Sequence, residues 1–244
     1  ILKLCGEIGV MGANYMVVDY CGTAVQAMSI DERMTLTNMA AELGAKTGII
    51  VPDKVTSDWL TAAGVKNIDI MNWQNDKNAT VAKVIDMDAT TLCPQVAAPS
   101  NPENTSDVTD YSGTFVEQAY IGACTGAKLA DLRMAAAVVR GHKVVKGMRF
   151  FVAPATTHIQ DLAQTEGTLE ILKDAGAVVL PSGCGGCIGQ GAARLEENMT
   201  GISTTNRNFV GRAGPASSEL YLGSAYSVAA AALTGKITDP REFL

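Results

Sequence analysis

Ala177-Val-Val-Leu-Pro-Ser-Gly-Cys184-Gly-Gly-Cys187-Ile-Gly-Gln-Gly191 runs from a short apolar strand straight into a loop that carries two thiols. Five of its last nine residues are glycine. Glycine permits backbone angles that other residues resist and lets a bulky ligand approach the main chain, so the loop reads as a wrapping placed at a strand end. Two other segments repeat the arrangement. A strand near 116–121 leads to Cys124 in Ile121-Gly-Ala-Cys-Thr-Gly126, and a strand over 201–205 leads to Asn206-Arg207-Asn-Phe-Val-Gly-Arg212. Between them, apolar spacing predicts a helix through Leu129, Leu132, Ala136 and Val139, closed by Gly141. A strand at 149–152 follows, then a helix through Ile159, Leu162, Leu169 and Leu172 closed by Gly176, and later a short helix over 192–198. Such alternation predicts a parallel sheet covered by helices. The ends of its strands lie along one edge, where open α/β proteins gather ligands. Cys124, Cys184 and the 206–212 loop are therefore expected to converge.

The first half is less regular. Leu2–Cys5 and Tyr15–Asp19 read as strand pieces, the first opening in mid-pattern, as if a preceding segment or another chain completed it. Ser29-Ile-Asp-Glu32 matches a capping box and predicts a helix over 30–43, broken at Gly44 and Gly48. Asn38 and Glu42 are four apart, so both project from one helical face. That spacing suits a solvated polar face, but the neighbours Met39, Ala40, Ala41 and Leu43 point to a partly buried polar pair. Residues 48–52 read as a buried strand, 57–63 as a short helix, 66–79 as a polar excursion and 81–87 as a strand. The Pro-, Ser- and Asn-rich segment 98–112 reads as a linker. The expected organisation is α/β throughout: a first domain over 1–97, a linker over 98–112, and a second domain over 113–244 that carries the cysteine loops.

Composition sets outer limits. At 244 residues, 47% hydrophobic and 18% charged, the chain has ample core for one large domain or two modest ones. A net charge of −6 without a basic cluster argues against a nucleic-acid surface, and no apolar run reaches the length of a membrane helix. The six cysteines do not form the dense framework of a small secreted domain, which implies free thiols and a reducing compartment, cytoplasmic or inside an organelle. Sequons begin at Asn78, Asn104 and Asn198; with this thiol usage they read as chance.

A Cys-x-x-Cys pair alone leaves three chemistries open. A thioredoxin-type redox pair should open a helix after a strand, and Gly-Gly between the thiols is unusual there. Half of a zinc site would need two more ligands, and His142 and His158 show no ligand spacing. Three thiolates from Cys124, Cys184 and Cys187 would instead suit a [4Fe–4S] cluster with one iron left open. Arginine forks bind carboxylates bidentately, so Arg207 and Arg212 beside the thiols suggest an anionic di- or tricarboxylate.

Met28-Ser-Ile-Asp-Glu-Arg-Met-Thr-Leu-Thr-Asn-Met-Ala-Ala-Glu-Leu-Gly-Ala45, Gly122-Ala-Cys-Thr125, Gly183-Cys-Gly-Gly-Cys-Ile-Gly189 and Ser203-Thr-Thr-Asn-Arg-Asn-Phe-Val-Gly-Arg212, in this order along the chain, together resemble the aconitase superfamily. Within it they look most like the family of isopropylmalate dehydratase (isopropylmalate isomerase) large subunits. The likeness continues to Ala232-Leu-Thr-Gly-Lys-Ile-Thr-Asp-Pro-Arg-Glu-Phe-Leu244. The resemblance implies aconitase-like three-layer α/β/α domains with mostly parallel sheets. It implies a hydro-lyase that dehydrates and rehydrates a 2-hydroxy dicarboxylate, converting 2-isopropylmalate to 3-isopropylmalate in leucine biosynthesis. It makes Cys124, Cys184 and Cys187 the ligands of one [4Fe–4S] cluster, with one iron free of cysteine. Asn206 would lie beside the cluster, Arg207 and Arg212 would hold substrate carboxylate, and Glu42 with Asn38 would stand near the open iron. It further implies a separate small subunit carrying the swivelling domain, and an N-terminal third supplied by a preceding segment or another chain. Gly126 departs from the asparagine that the family often has after Cys-Thr. Related hydratases acting on citrate-, homocitrate-, dimethylmalate- or citraconate-type acids, a redox iron–sulfur protein, and a non-catalytic assembly module are the competing readings.

Overall fold

A computed structural model describes residues 1–244, the side chain of Met71 excepted. In chain order the elements are α1 (Leu2–Ile8), β1 (Val17–Asp19), α2 (Thr23–Ala27), α3 (Ile30–Asn38), β2 (Thr47–Ile49), α4 (Lys54–Ala62), β3 (Gln95–Ala97), β4 (Thr105–Asp107) and β5 (Gln118–Gly122). They continue with α5 (Ala123–Gly126), α6 (Leu129–Val139), β6 (Arg149–Ala153), α7 (Thr157–Thr165), α8 (Thr168–Ala175), β7 (Val178–Val179), β8 (Thr200–Ser203), β9 (Glu219–Gly223) and α9 (Ala225–Thr234). Single 3₁₀ turns fill several connections, among them Met39–Leu43 and Gly185–Ile188.

The main sheet has the order β4-β3-β9-β8-β5-β6-β7. From β9 to β7 every neighbour is parallel, and β3 and β4 add an antiparallel edge. Strand side chains alternate between its faces. Ala119 and Ile121 of β5, Phe150 and Val152 of β6, and Ile202 of β8 join one core with α6, α8 and α9. Tyr120 and Ala153 face the other way, onto Cys187 and Ala193. Leu220 and Leu222 likewise meet Leu195 and, at the partly buried margin, Leu2 of α1. Helices thus lie on one face, and the cysteine loop with α1 covers the other. The small Ala225–Ala232 side chains let α9 settle closely on the sheet, all of them but Tyr226 buried. This is the expected mixed α/β architecture with a large, mostly parallel sheet.

The capping box at Ser29 and Glu32 forms as read: Ser29 Oγ accepts from the Glu32 amide, and the Glu32 carboxylate accepts from the Ser29 amide. The helix it starts is shorter than expected. It ends at Asn38 and tightens into 3₁₀ geometry through Leu43, closing on Gly44 at φ 81°.

Several expectations are corrected. Leu2–Cys5 is helical, because Leu2, Cys5 and Ile8 at helical spacing share a core with Met39 and Leu43. β2 is not a buried strand: it pairs only with β1, and Ile49 stays exposed. Residues 81–87 form no strand, since no neighbouring strand meets them. The helix read from Ile159 to Leu172 is two helices, broken at Gly167, which adopts φ 85°. The helix expected over 192–198 is a single 3₁₀ turn, Gly191–Ala193. Segment 98–112, read as a linker, contains β4, whose partner β3 pairs in turn with β9, so no break in the sheet marks the division at 97 and 113. β9 and α9 were not anticipated.

Candidate active site

Three loops leave the same edge of the parallel strands. β5 runs into α5 with Cys124, β7 leads to the Cys184–Cys187 loop, and β8 leads to Asn206–Arg212. Parallel register requires this convergence. The turn carrying Asn38 and Glu42 reaches the same place from the first half of the chain.

The turn into Cys124 is tight. Ala123, a non-glycine residue, sits in the left-handed region at φ 64°. Such conformations cost of order 1–3 kcal/mol and persist where the surroundings over-determine them. In the other loop, Gly189 at φ 67° lies against residues 212–214, where an added Cβ would stand 3.1 Å from the Arg212 carbonyl oxygen. At Gly186 a Cβ would come within 2.8 Å of the Ala193 Cβ. Both glycines allow the thiol loop to lie flush on its neighbours.

The polar contacts tie the sulfurs to amide and guanidinium groups. Asn38 Nδ2 donates to Cys124 Sγ at 3.4 Å, while Thr125 Oγ1 donates to Asn38 Oδ1 at 3.1 Å. Cys187 Sγ lies 3.7 Å from Asn206 Oδ1, and Arg212 Nη2 approaches the same sulfur at 3.8 Å. Glu42 is buried, its side chain only 3% exposed. Its Oε1 accepts from Asn206 Nδ2 and Arg207 Nε, both at 2.8 Å, and Arg207 Nε also reaches Oε2 at 3.0 Å. Glu42 and the two residues beside it therefore form one network spanning 165 positions of sequence.

Burial pushes the Cys187 thiol up from its ordinary value; the Arg212 guanidinium pulls it back, while Cys184 and Cys124 push it up further. Cys184 and Cys124 thus both lie within electrostatic reach of Cys187. Tyr120, beneath the loop, is pushed up to about 12, chiefly by burial and then by Cys187 and Cys184. Cys187 is buried, whereas Cys124 and Cys184 are exposed. Of the remaining thiols, Cys5 lies on α1, and Cys21 and Cys93 lie in connections. His142 packs edge-on against Phe243.

Among the described residues, no three His, Cys, Asp or Glu side chains converge as a ready-made metal-binding group. The donor chemistry nevertheless fits an iron–sulfur cluster. Cys184 and Cys124 both lie within electrostatic reach of Cys187, and nitrogen donors stand beside Cys124 and Cys187. Arg212 Nε is buried without an acceptor among the described residues. An unpaired buried donor costs about 1–3 kcal/mol, a cost that an anionic group next to Cys187 would relieve.

Sequence reasoning missed the side chains that join α3 to the Cys124 segment. Ala130 N donates to Asp31 Oδ2 at 3.0 Å, Thr35 Oγ1 donates to the Thr125 carbonyl at 3.2 Å, and Lys128 Nζ donates to Thr35 Oγ1 at 2.9 Å. A lysine four positions after a candidate ligand was the available signal. Asn208 was also missed; its Nδ2 donates to the Ala98 carbonyl at 2.7 Å and moors the arginine loop to the β3–β4 edge.

Comparison with known proteins identifies the family. The model of the aconitase family (aconitate hydratase) matches residues 1–235. A 3-isopropylmalate dehydratase large subunit 1 from Pyrococcus furiosus is 43% identical over 244 aligned residues, covering 99% of this chain and 57% of the relative. A large subunit 2 of the same name from Archaeoglobus fulgidus is 41% identical, covering 100% of this chain and 58% of the relative. One from Sulfurihydrogenibium sp. is 42% identical, covering 99% and 56%. The chain thus spans a little over half the length of these curated relatives. With a family match across nearly its whole length, the chain belongs to the aconitase family.

Proposed function

We propose that the chain forms part of an iron–sulfur hydro-lyase that isomerises 2-isopropylmalate to 3-isopropylmalate, working as the large subunit with a separate small subunit. The observation that carries the reading is the network in which Glu42 holds Asn206 and Arg207 while Asn206 and Arg212 flank Cys187. Cys124, Cys184 and Cys187 would hold one [4Fe–4S] cluster, in keeping with the names of the relatives and the family match. When bound, the cluster supplies a Lewis-acidic iron, free of cysteine, for the substrate hydroxyl.

The residues of this chain would do the binding and orienting. Glu42 grips Arg207 through Nε, which leaves both terminal nitrogens of the fork for a substrate carboxylate. Arg212 supplies a second cation beside Cys187. Fixing both carboxylates sets the carbon that loses its proton and the carbon that loses its hydroxyl in one orientation. Glu42 Oε1 already accepts two donors, so its less occupied Oε2 is the atom left to accept from the departing water. Asn38, between Thr125 and Cys124, orients the segment carrying that thiol. The base that takes the carbon-bound proton would come from the small subunit.

The relatives are named large subunits, which supports a small-subunit partner. A preceding segment or a further chain would complete the first half. The two-stranded β1–β2 sheet supports this, because Val17 and Ile49 are left exposed on it. No described helix is long and apolar enough to cross a membrane. Free thiols suit the cytoplasm or the reducing interior of an organelle. The test is turnover of 2-isopropylmalate by the anaerobically loaded chain together with its candidate small subunit. Isomerisation lost in Arg207→Ala would support the reading; no turnover of this or a related 2-hydroxy acid by the unaltered pair would defeat it.

A further inference from the structure

Lys128 is the only buried lysine among the described residues, its side chain 5% exposed, and its partners belong to two different parts of the site. Nζ donates to Thr35 Oγ1 of α3 at 2.9 Å, to the Thr125 carbonyl, and to Asp131 Oδ2 at 2.7 Å. All three donors of the ammonium are therefore used. Thr35 Oγ1 in turn donates to the same Thr125 carbonyl, so one carbonyl beside Cys124 is gripped from both sides. Asp31 adds a second tie between the helices by accepting from the Ala130 amide.

These contacts determine where Asn38 stands. It is three residues beyond Thr35, at the end of the same helix, and it donates to Cys124 Sγ while accepting from Thr125. The helix and the thiol segment come from regions about ninety residues apart. A buried ammonium with partners on both segments holds them in register, because separating them would leave one of its three donors buried and unpaired. We infer that Lys128 is a positioning residue for the cluster site: it locks α3 to the Cys124 segment and so sets Cys124 and Asn38 for cluster retention. This inference rests on the reading of Cys124 as a cluster ligand.

Residues that orient metal ligands typically change metal retention by about 10–100-fold when lost. The experiment compares Lys128→Met and Thr35→Val with a core variant far from the site, Val228→Ala in α9. The full chain is loaded anaerobically and exposed to mild oxidation. Iron and sulfide per chain, the half-life of the visible absorbance, and the thermal midpoint of the cluster-free chain are then measured. Lys128→Met should shorten the cluster half-life by about tenfold relative to the core variant at a matched loss of thermal midpoint. Thr35→Val breaks the tie to α3 but leaves the Lys128–Asp131 pair, and should shorten the half-life by about threefold. Equal cluster half-lives in Lys128→Met and the core variant would overturn the inference. Should Lys128→Met fail to fold, an unchanged half-life in Thr35→Val would overturn it alone. If the unaltered chain takes up no iron, the cluster reading itself has failed.

Discussion

Replacing Glu42 by glutamine perturbs the candidate site with almost no change in volume. The carboxylate is 3% exposed and accepts three hydrogen bonds from Asn206 Nδ2 and Arg207 Nε. Glutamine offers one oxygen where there were two and turns an NH₂ toward groups that are themselves donors. Removing one partner of a fully buried ion pair costs about 3–5 kcal/mol. Arg207, however, is 39% exposed and can recover water. The expected loss is therefore about 2 kcal/mol, within the range for a buried acceptor turned against its donors. For a chain of this size that is a fall of about 4–8 °C in thermal midpoint, read on the cluster-free chain by circular dichroism. Arg207→Met alone should lose less, and the double variant should show a coupling of about 1–2 kcal/mol. The drop should also persist at high salt, because the buried carboxylate is poorly screened. A midpoint change under about 1 °C, or additive single and double variants, would refute the idea that Glu42 organises the arginine loop.

Gly186→Ala should cost about 1–3 kcal/mol by overpacking, since the new Cβ would meet the Ala193 Cβ at 2.8 Å; thermal melts and iron content after loading would check it, with both falling together. The Arg33 guanidinium, bonded to both Asp53 oxygens, holds that carboxyl from its ordinary 3.8 down to about 2. Because the folded value is depressed, the resulting stability is fully present above about pH 5 and is lost as pH falls from about 4 to about 2. Asp53 is one-third exposed, so the contribution is about 1 kcal/mol after allowance for screening. The gap in thermal midpoint between the unaltered chain and Asp53→Asn should accordingly narrow between pH 6 and pH 2; a gap independent of pH would count against the pair.

The site was more legible in the sequence than the scaffold of the first half. Glycine-bordered cysteines after apolar strands carry their own geometry, because parallel strands must end on one edge. That single rule brings Cys124, Cys184 and Arg207 together. The capping box at Ser29 was equally local, and it formed. Where partners are distant, the signal weakens. Leu2, Leu4 and Cys5 satisfy both strand and helix spacing over so few residues, and only the packing of Cys5 with Met39 and Leu43 decides for a helix. Residues 81–87 have strand composition, but a strand also needs a neighbour for its hydrogen bonds. Segment 98–112 looked like a linker because its Pro, Asn and Ser content masks the three residues of β4. Lys128 offered only its spacing from Cys124 as a signal, since a lysine at a helix start ordinarily reads as solvated until Thr35 is known to stand beside it.

The central claim is that Cys124, Cys184 and Cys187 hold one cluster with an iron left free of cysteine. Iron and sulfide analysis combined with EPR of the anaerobically purified chain tests it most directly. The account predicts an iron count near that of a [4Fe–4S] cluster, conversion to a three-iron EPR signal on mild oxidation, and loss of both when any one of the three cysteines becomes alanine. Full iron content and an unchanged signal in the triple Cys124→Ala, Cys184→Ala, Cys187→Ala variant would contradict it.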